Sequence, residues 1–154
     1  MTRTVAARPA PDLSLAVQYA SNAADLPARA QLRRWVRAAL DDDATVTLRF
    51  VDAIEGRALN AEYRGRDYAT NVLTFVYDDA KPRAGDIVLC APVIRTEAET
   101  QGKMLAAHYA HLVVHGMLHL QGFDHEDPTD AGTMEAREIA ILARLAIANP
   151  YSDG

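Results

Sequence analysis

The sequence predicts an α/β (α+β) domain in which about five helices pack on a small four-stranded sheet. Three observations predict it. Short segments alternate apolar and polar residues with the period of a strand, and longer ones repeat apolar residues with the period of a helix. The two kinds interleave along the chain instead of segregating into halves, so helices and sheet share one core. Nothing in that order requires the sheet to be all parallel.

Leu13, Leu15, Val17 and Tyr19 alternate with Ser14, Ala16 and Gln18, a strand with one buried face. Asp25 is placed to cap a helix through Leu40, with Pro27 in its first turn and Leu32, Trp35, Val36 and Leu40 as its apolar stripe. Arg29, Arg33 and Arg37 form a basic face of the kind that is usually just solvated. Val46, Leu48 and Phe50 give a second strand. Asp52 and Glu55 resemble a capping box opening a helix that ends near Gly65 and delivers Arg64 at its end. Asn71 to Tyr77 reads as a third strand, Asp78 to Arg83 as a turn, and Asp86 to Ala91 as a fourth strand whose apolar run implies burial on both faces. A helix opens at or just after Pro92 and is broken by Gly102. A histidine-rich helix follows, apolar from Ala106 to Leu120. Thr129 or Asp130 caps a last helix bearing Met134, Ile139, Ile141, Leu142 and Leu145.

At 154 residues the chain suits a single domain spanning 1–154, with residues 1–11 as a loose lead-in. Its 49% hydrophobic and 24% charged content is that of an ordinary globular protein. No apolar run has membrane-spanning length, the N-terminus lacks the apolar region of a secretory signal, and one cysteine, Cys90, excludes an internal disulfide framework. These features point to a cytoplasmic protein. A net charge of −5 argues against non-specific nucleic-acid binding by the whole surface, but leaves room for a local basic cleft around Arg57, Arg64, Arg66, Lys81 and Arg83.

The chemistry concentrates in His115-Gly-Met-Leu-His119-Leu-Gln-Gly122-Phe-Asp-His125. Residues four apart on a helix share a face, so His115 and His119 can reach one metal ion. Gly122 is the residue type that ends a helix by turning left-handed, and the turn can return His125 to the same point. Three imidazoles leave one tetrahedral position open, which is the layout of a catalytic zinc site with one ion per chain. Nickel and copper also suit imidazole. His108 and His111 share that helix face, within about 80° of the other two. His111 and His119 are about 12 Å apart in rise, too far to bind one ion with His115 between them. Only the His115–His119 pair has a third histidine delivered by a turn. His111 is then left as a second-layer or substrate-facing group, or, like His108, as a hydrogen-bonded core position.

The spacing His-x-x-x-His-x-x-Gly-x-x-His is also that of the metzincin proteases, which need a glutamate directly after the first histidine as general base. Here that position is Gly116, which cannot accept a proton, so the protease reading loses its central part.

The histidine stretch resembles the signature of the YbeY family of bacterial rRNA-maturation endoribonucleases. Leu59-Asn-Ala-Glu-Tyr-Arg64-Gly-Arg-Asp67 with Thr70-Asn-Val-Leu-Thr-Phe75 is similar to a second family block, and Gly85-Asp-Ile-Val-Leu-Cys90 to a third. Together these blocks cover roughly residues 45–145. Asn71 stands where many members have Asp, and Thr74 where many have Ser. The resemblance implies a mixed sheet with several helices and a metal cleft like that of zinc peptidases. It implies metal ligands at His115, His119 and His125 and a functionally important arginine at Arg64. It further implies a zinc-dependent, single-strand-specific endoribonuclease acting in maturation of the 3′ end of small-subunit rRNA, in ribosome assembly and in removal of defective ribosomes. The partners implied are single-stranded rRNA, the small ribosomal subunit and ribosome-associated proteins, with no membrane and no DNA.

Phosphodiester cleavage builds charge on non-bridging oxygens, so it needs a metal and a cation near phosphorus. Arg64 offers a planar fork for a phosphate, against the plainer role of a cation at a helix C-terminus. The nucleophile is either water or the RNA 2′-OH. No general base is obvious. Asp124 either caps the turn or orients an imidazole. Asp86 is either a turn residue or a cleft carboxylate. Met134 is either core or a hydrophobic floor beneath the metal. A second reading makes the protein a ribosome-assembly module whose zinc is mainly structural, although such sites usually take four protein ligands.

Overall fold

A computed structural model of the chain describes residues 9–78, 80–124 and 127–152. His125 and most of the N-terminal lead-in lie outside the described residues. The elements are β1 (Leu13–Ala20), α1 (Arg29–Ala38), β2 (Ala44–Val51), α2 (Ala53–Arg64), β3 (Val72–Val76), β4 (Arg83–Cys90), α3 (Ala91–Gln101), α4 (Leu105–Leu120) and α5 (Pro128–Arg144). The expected architecture of a four-stranded mixed sheet with five helices is what forms.

The strand order is β1-β2-β4-β3, with β1, β2 and β4 parallel and β3 antiparallel to β4. The parallel connections each carry a helix, α1 and α2, as parallel pairing requires. The short β3–β4 connection instead folds the chain back, which leaves β3 as an edge strand.

Val46, Leu48, Phe50, Ile87 and Leu89 put one face of the sheet into the main core, with Leu32 and Trp35 of α1 and Val113, Met117 and Leu118 of α4. Val51, Leu73, Val88 and Cys90 bury part of the other face with Leu59 of α2 and Val93 of α3. β4 is therefore covered on both sides, as its apolar run predicts. α4 packs against α1, α3, α5, β3 and β4. A helix enclosed in this way can be apolar around its whole circumference. Its histidines are thus carried on a helix enclosed by the rest of the domain.

Three predicted caps are replaced. Asp25 pairs with Arg95 of α3, so α1 begins later, after Ala28, with no side-chain cap. Asp52 does precede α2, but its carboxylate accepts hydrogen bonds from the Ser21 hydroxyl and the Asn22 amide, tying the end of β1 to the end of β2. Glu55 is taken by Arg49. The last helix is capped by Asp127, whose carboxylate accepts from the Thr129 and Asp130 amides at 2.7 and 3.3 Å. Pro128 then occupies the first turn, where a missing N–H costs nothing. In each case a tertiary partner or a better-placed neighbour outcompetes the local pattern.

A candidate metal centre at the base of an edge-strand cleft

α4 ends at Leu120, and Gly122 follows with φ at 100°, a conformation that L side chains rarely adopt. This is the expected left-handed stop. It turns the chain so that the Phe123 carbonyl lies 3.0 Å from His119 Nδ1. A carbonyl can only accept, so Nδ1 of His119 carries a proton, and in the neutral ring Nε2 is the nitrogen left to bind a cation. His115 is set in the same way by a different group: its Nδ1 lies 2.7 Å from a carboxylate oxygen of Glu138. Asp124, exposed on the turn, is not the group found at either Nδ1.

The two Nε2 atoms face each other at 3.1 Å. Two lone pairs at this distance repel unless a shared proton or a metal cation lies between them. Two nitrogens bound to one tetrahedral zinc at 2.0–2.1 Å would be about 3.3 Å apart. The pair therefore fits one edge of a zinc coordination sphere, and its donor type suits zinc.

Among the described residues a second combination also has the spacing to hold a metal. His111, His115 and Glu138 each offer an atom within 4.8 Å of the others. Its internal contacts are those of hydrogen bonding, with each imidazole nitrogen 2.7 Å from its own carboxylate oxygen. Glu138 is wholly buried. Burial pushes its pKa up, but hydrogen bonds from His111, His115 and Tyr151 outweigh this and hold it at about 2. His111 meets the other oxygen of Glu138, one helical turn from His115 on the side away from His119. His108 is buried and bonded to Glu97 at 2.9 Å, which also accepts from Asn71 Nδ2 at 3.0 Å. An amide at position 71 suits this network, since it donates where an aspartate would add a second carboxylate.

His115 and His119 line a cleft of about 1100 Å³ that runs along the edge strand β3. Arg64, Asn71, Tyr77 and Asp86 line the same cleft. Arg64 is the last residue of α2, closed off by the left-handed Gly65, and it is exposed. Two nearby arginines are already spoken for, Arg49 by Glu55 and Arg57 by Asp67, both as two-pronged pairs. Among the described residues Arg64 has no such partner. Asp86 is a cleft carboxylate and not a turn residue: it lies within β4 and accepts from the Tyr77 hydroxyl at 2.6 Å, which raises the pKa of that phenol. Met134 is core, 1% exposed.

Gly116 faces β4. A Cβ there would sit 2.8 Å from Ile87 Cγ2, so the position at which a metzincin carries its glutamate is pressed against the sheet. The structure brings the predicted His115, His119 and Arg64 together on one cleft. Sequence reading missed Glu138, whose one signal is a carboxylate among Met134, Ile141 and Leu142 on an apolar helix face.

The family model described as Endoribonuclease YbeY matches residues 17–146. The chain is 60% identical to Endoribonuclease YbeY of Thiobacillus denitrificans over 92% of this chain and 98% of that one. It is 58% identical to the Aromatoleum aromaticum protein of the same name, over 91% of this chain and 93% of that one. It shares its fold with the solution structure of TM1509 from Thermotoga maritima, with a TM-score of 0.53 and 20% identity over 91% of this chain and 99% of that one. With the family model matching most of its length and such identities over nearly whole relatives, the chain belongs to the YbeY family of endoribonucleases.

Proposed function

We propose that this chain is a zinc-dependent endoribonuclease specific for single-stranded RNA, with His115, His119 and His125 as the ligands of one zinc ion and Arg64 as the phosphate-binding cation. The observation that carries the reading is the 3.1 Å approach of the His115 and His119 Nε2 atoms on a cleft that Arg64 also lines. A zinc ion held by these histidines would supply Lewis-acid chemistry toward a phosphoryl oxygen and its nucleophile. The protein's own part is positional. Arg64 grips the non-bridging oxygens with its fork, and the cleft holds the strand over the histidines.

The walls of the cleft suit an unpaired strand. Tyr63 and Tyr77 line it and are 61% and 62% exposed. Exposed aromatic faces beside a cation are what stacking of unpaired bases uses, and a duplex hides those faces. The names of the relatives support RNA cleavage; the family resemblance alone extends the proposal to the 3′ end of small-subunit (16S) rRNA as substrate, work on the small ribosomal subunit with ribosome-associated proteins, roles in assembly and quality control, and a cytoplasmic location. Among the described residues no helix is long and apolar enough to cross a membrane.

One observation favours the second reading, an assembly module with a mainly structural metal. Among the described residues both carboxylates lining the cleft are engaged, Glu55 by Arg49 and Asp86 by Tyr77, so neither stands ready as a general base. The test is cleavage of a single-stranded rRNA 3′-end fragment, and of the same fragment in a duplex, by zinc-loaded protein free of contaminating nuclease. Cutting of the single strand alone, lost in His115→Ala, supports the enzyme. No cutting by a protein that still binds small subunits gives the role to the assembly module.

A further inference from the structure

Glu138 is costly to keep. It sits on the face of α5 that carries Met134, Ile141 and Leu142, and it is fully buried with them. A carboxylate in such a place is destabilising unless it is fully hydrogen-bonded, and an apolar side chain of similar size would pack there at less cost. Packing alone therefore does not account for it.

Its three partners do. Among the described residues Oε1 meets only His115 Nδ1, at 2.7 Å. Oε2 meets His111 Nε2 at 2.7 Å and the Tyr151 hydroxyl at 2.6 Å. One oxygen thus faces the histidine of the Nε2 pair, and the other is anchored from behind. The anchor comes from beyond α5: the chain leaves the helix after Arg144 and returns, so that Tyr151 reaches back thirteen residues. That return is itself pinned, because Lys103 Nζ donates to the Pro150 carbonyl at 3.0 Å and the Tyr151 amide donates to Asn149 Oδ1 at 2.9 Å. The Tyr151 ring also lies edge-on to His111, with centroids 5.4 Å apart.

We propose that Glu138 is the positioning residue of the metal centre, fixing His115 as the Nδ1–H tautomer with Nε2 aimed at His119, and that Tyr151 and His111 lock it in place, so that the C-terminal segment sets the metal affinity of the site. This rests on the metal reading given above. It makes Glu138 a group that acts through His115 and not a ligand. A metal held by His111, His115 and Glu138 would compete for the Nδ1 edge of His115, which is already committed to the carboxylate at 2.7 Å.

The experiment measures zinc affinity by competition with a chromophoric chelator, for the parent and for Glu138→Gln, Tyr151→Phe and His119→Ala. The melting temperature of each metal-free protein is recorded alongside, and the side-chain ¹⁵N NMR spectrum of His115 reports its tautomer without any metal. Glutamine is isosteric and keeps an acceptor for His115, so the fold should survive. Carboxylate partners of metal-bound histidines typically contribute ten- to a hundredfold in affinity. Glu138→Gln is expected to weaken zinc binding by about that factor, and Tyr151→Phe to weaken it in the same direction by less, with one zinc per chain still bound. The parent spectrum is expected to show Nδ1–H. Unchanged affinity in both variants overturns the proposal while leaving the metal reading intact, and so does an Nε2–H tautomer in the parent. Loss of stoichiometric zinc in Glu138→Gln, with retention in His119→Ala, would make Glu138 a ligand and also overturn it. A parent that binds no zinc defeats the metal reading itself.

Discussion

The Nε2 atoms of His115 and His119 stand 3.1 Å apart, each on the lone-pair side of a ring whose Nδ1 is spent on an acceptor. The two rings are oriented by the helix register and by Glu138 and Phe123. This arrangement predicts that metal removal silences the site without unfolding the domain. The chelated protein should still melt cooperatively, because its core lies elsewhere, among α1, α4 and the sheet. Zinc at a hundred times its dissociation constant should add about 2.7 kcal/mol of stability, seen as a rise in Tm. Loss of cooperative melting on chelation would instead mark the zinc as structural.

Arg64 is exposed and has no ion-pair partner among the described residues, so replacing it should leave the fold alone. Removing a single group that stabilises transition-state charge typically costs a factor of about 10² to 10³ in kcat. Arg64→Ala is expected to lose that much at unchanged Tm. Arg64→Lys is expected to recover only part of it, since an ammonium cannot make the two-pronged contact. Equal rates for Arg64→Lys and the parent would show that the fork does not matter.

Tyr63 and Tyr77 test how the cleft selects unpaired RNA. Stacking of one base on an aromatic ring contributes about 1–3 kcal/mol. Tyr77→Ala should weaken single-strand binding by an amount in that range, and Tyr77→Phe by much less. Tyr63 also packs on Phe75, with centroids 4.6 Å apart, so Tyr63→Ala carries some packing loss as well. Fluorescence anisotropy with a short labelled RNA, in a His119→Ala background that should not cleave, reads both. Equal affinities across the series would remove the tyrosines from recognition.

Gly116 bears on the protease reading. A Cβ 2.8 Å from Ile87 Cγ2 must push helix from strand. Gly116→Ala is expected to destabilise by about 1–3 kcal/mol, the usual cost of overpacking a core. Gly116→Glu should fare worse and gain no peptidase activity, because the added carboxyl would enter the core and not the cleft. Denaturant melts of the two variants check this, and a Gly116→Ala variant as stable as the parent would contradict the packing account.

Much of this was legible in the residues. The apolar length of α4, with Gly122 after it, gave the helix and its stop, since enclosure and a left-handed turn both leave compositional marks. The apolar run Ile87 to Cys90 gave a strand covered on both faces. The caps at Asp25 and Asp52 misled because Arg95 and Ser21 lie far along the chain and claim the same carboxylates. Glu138 was hidden for a related reason. Its partners are 27, 23 and 13 residues away, and no local pattern encodes a meeting of α4, α5 and the C-terminal segment. Its place on an apolar stripe was the trace that it left. Tyr151 left none.

The central claim is that the histidine pair holds the metal with which the cleft cuts RNA. The most direct measurement follows the cleavage rate of a single-stranded RNA as zinc is added back to chelated protein, for the parent and for His119→Ala. The account predicts a rate that rises from zero and levels off at one zinc per chain in the parent, with no recovery in His119→Ala at matched melting temperature. A rate indifferent to zinc, or restored equally in the variant, would contradict it.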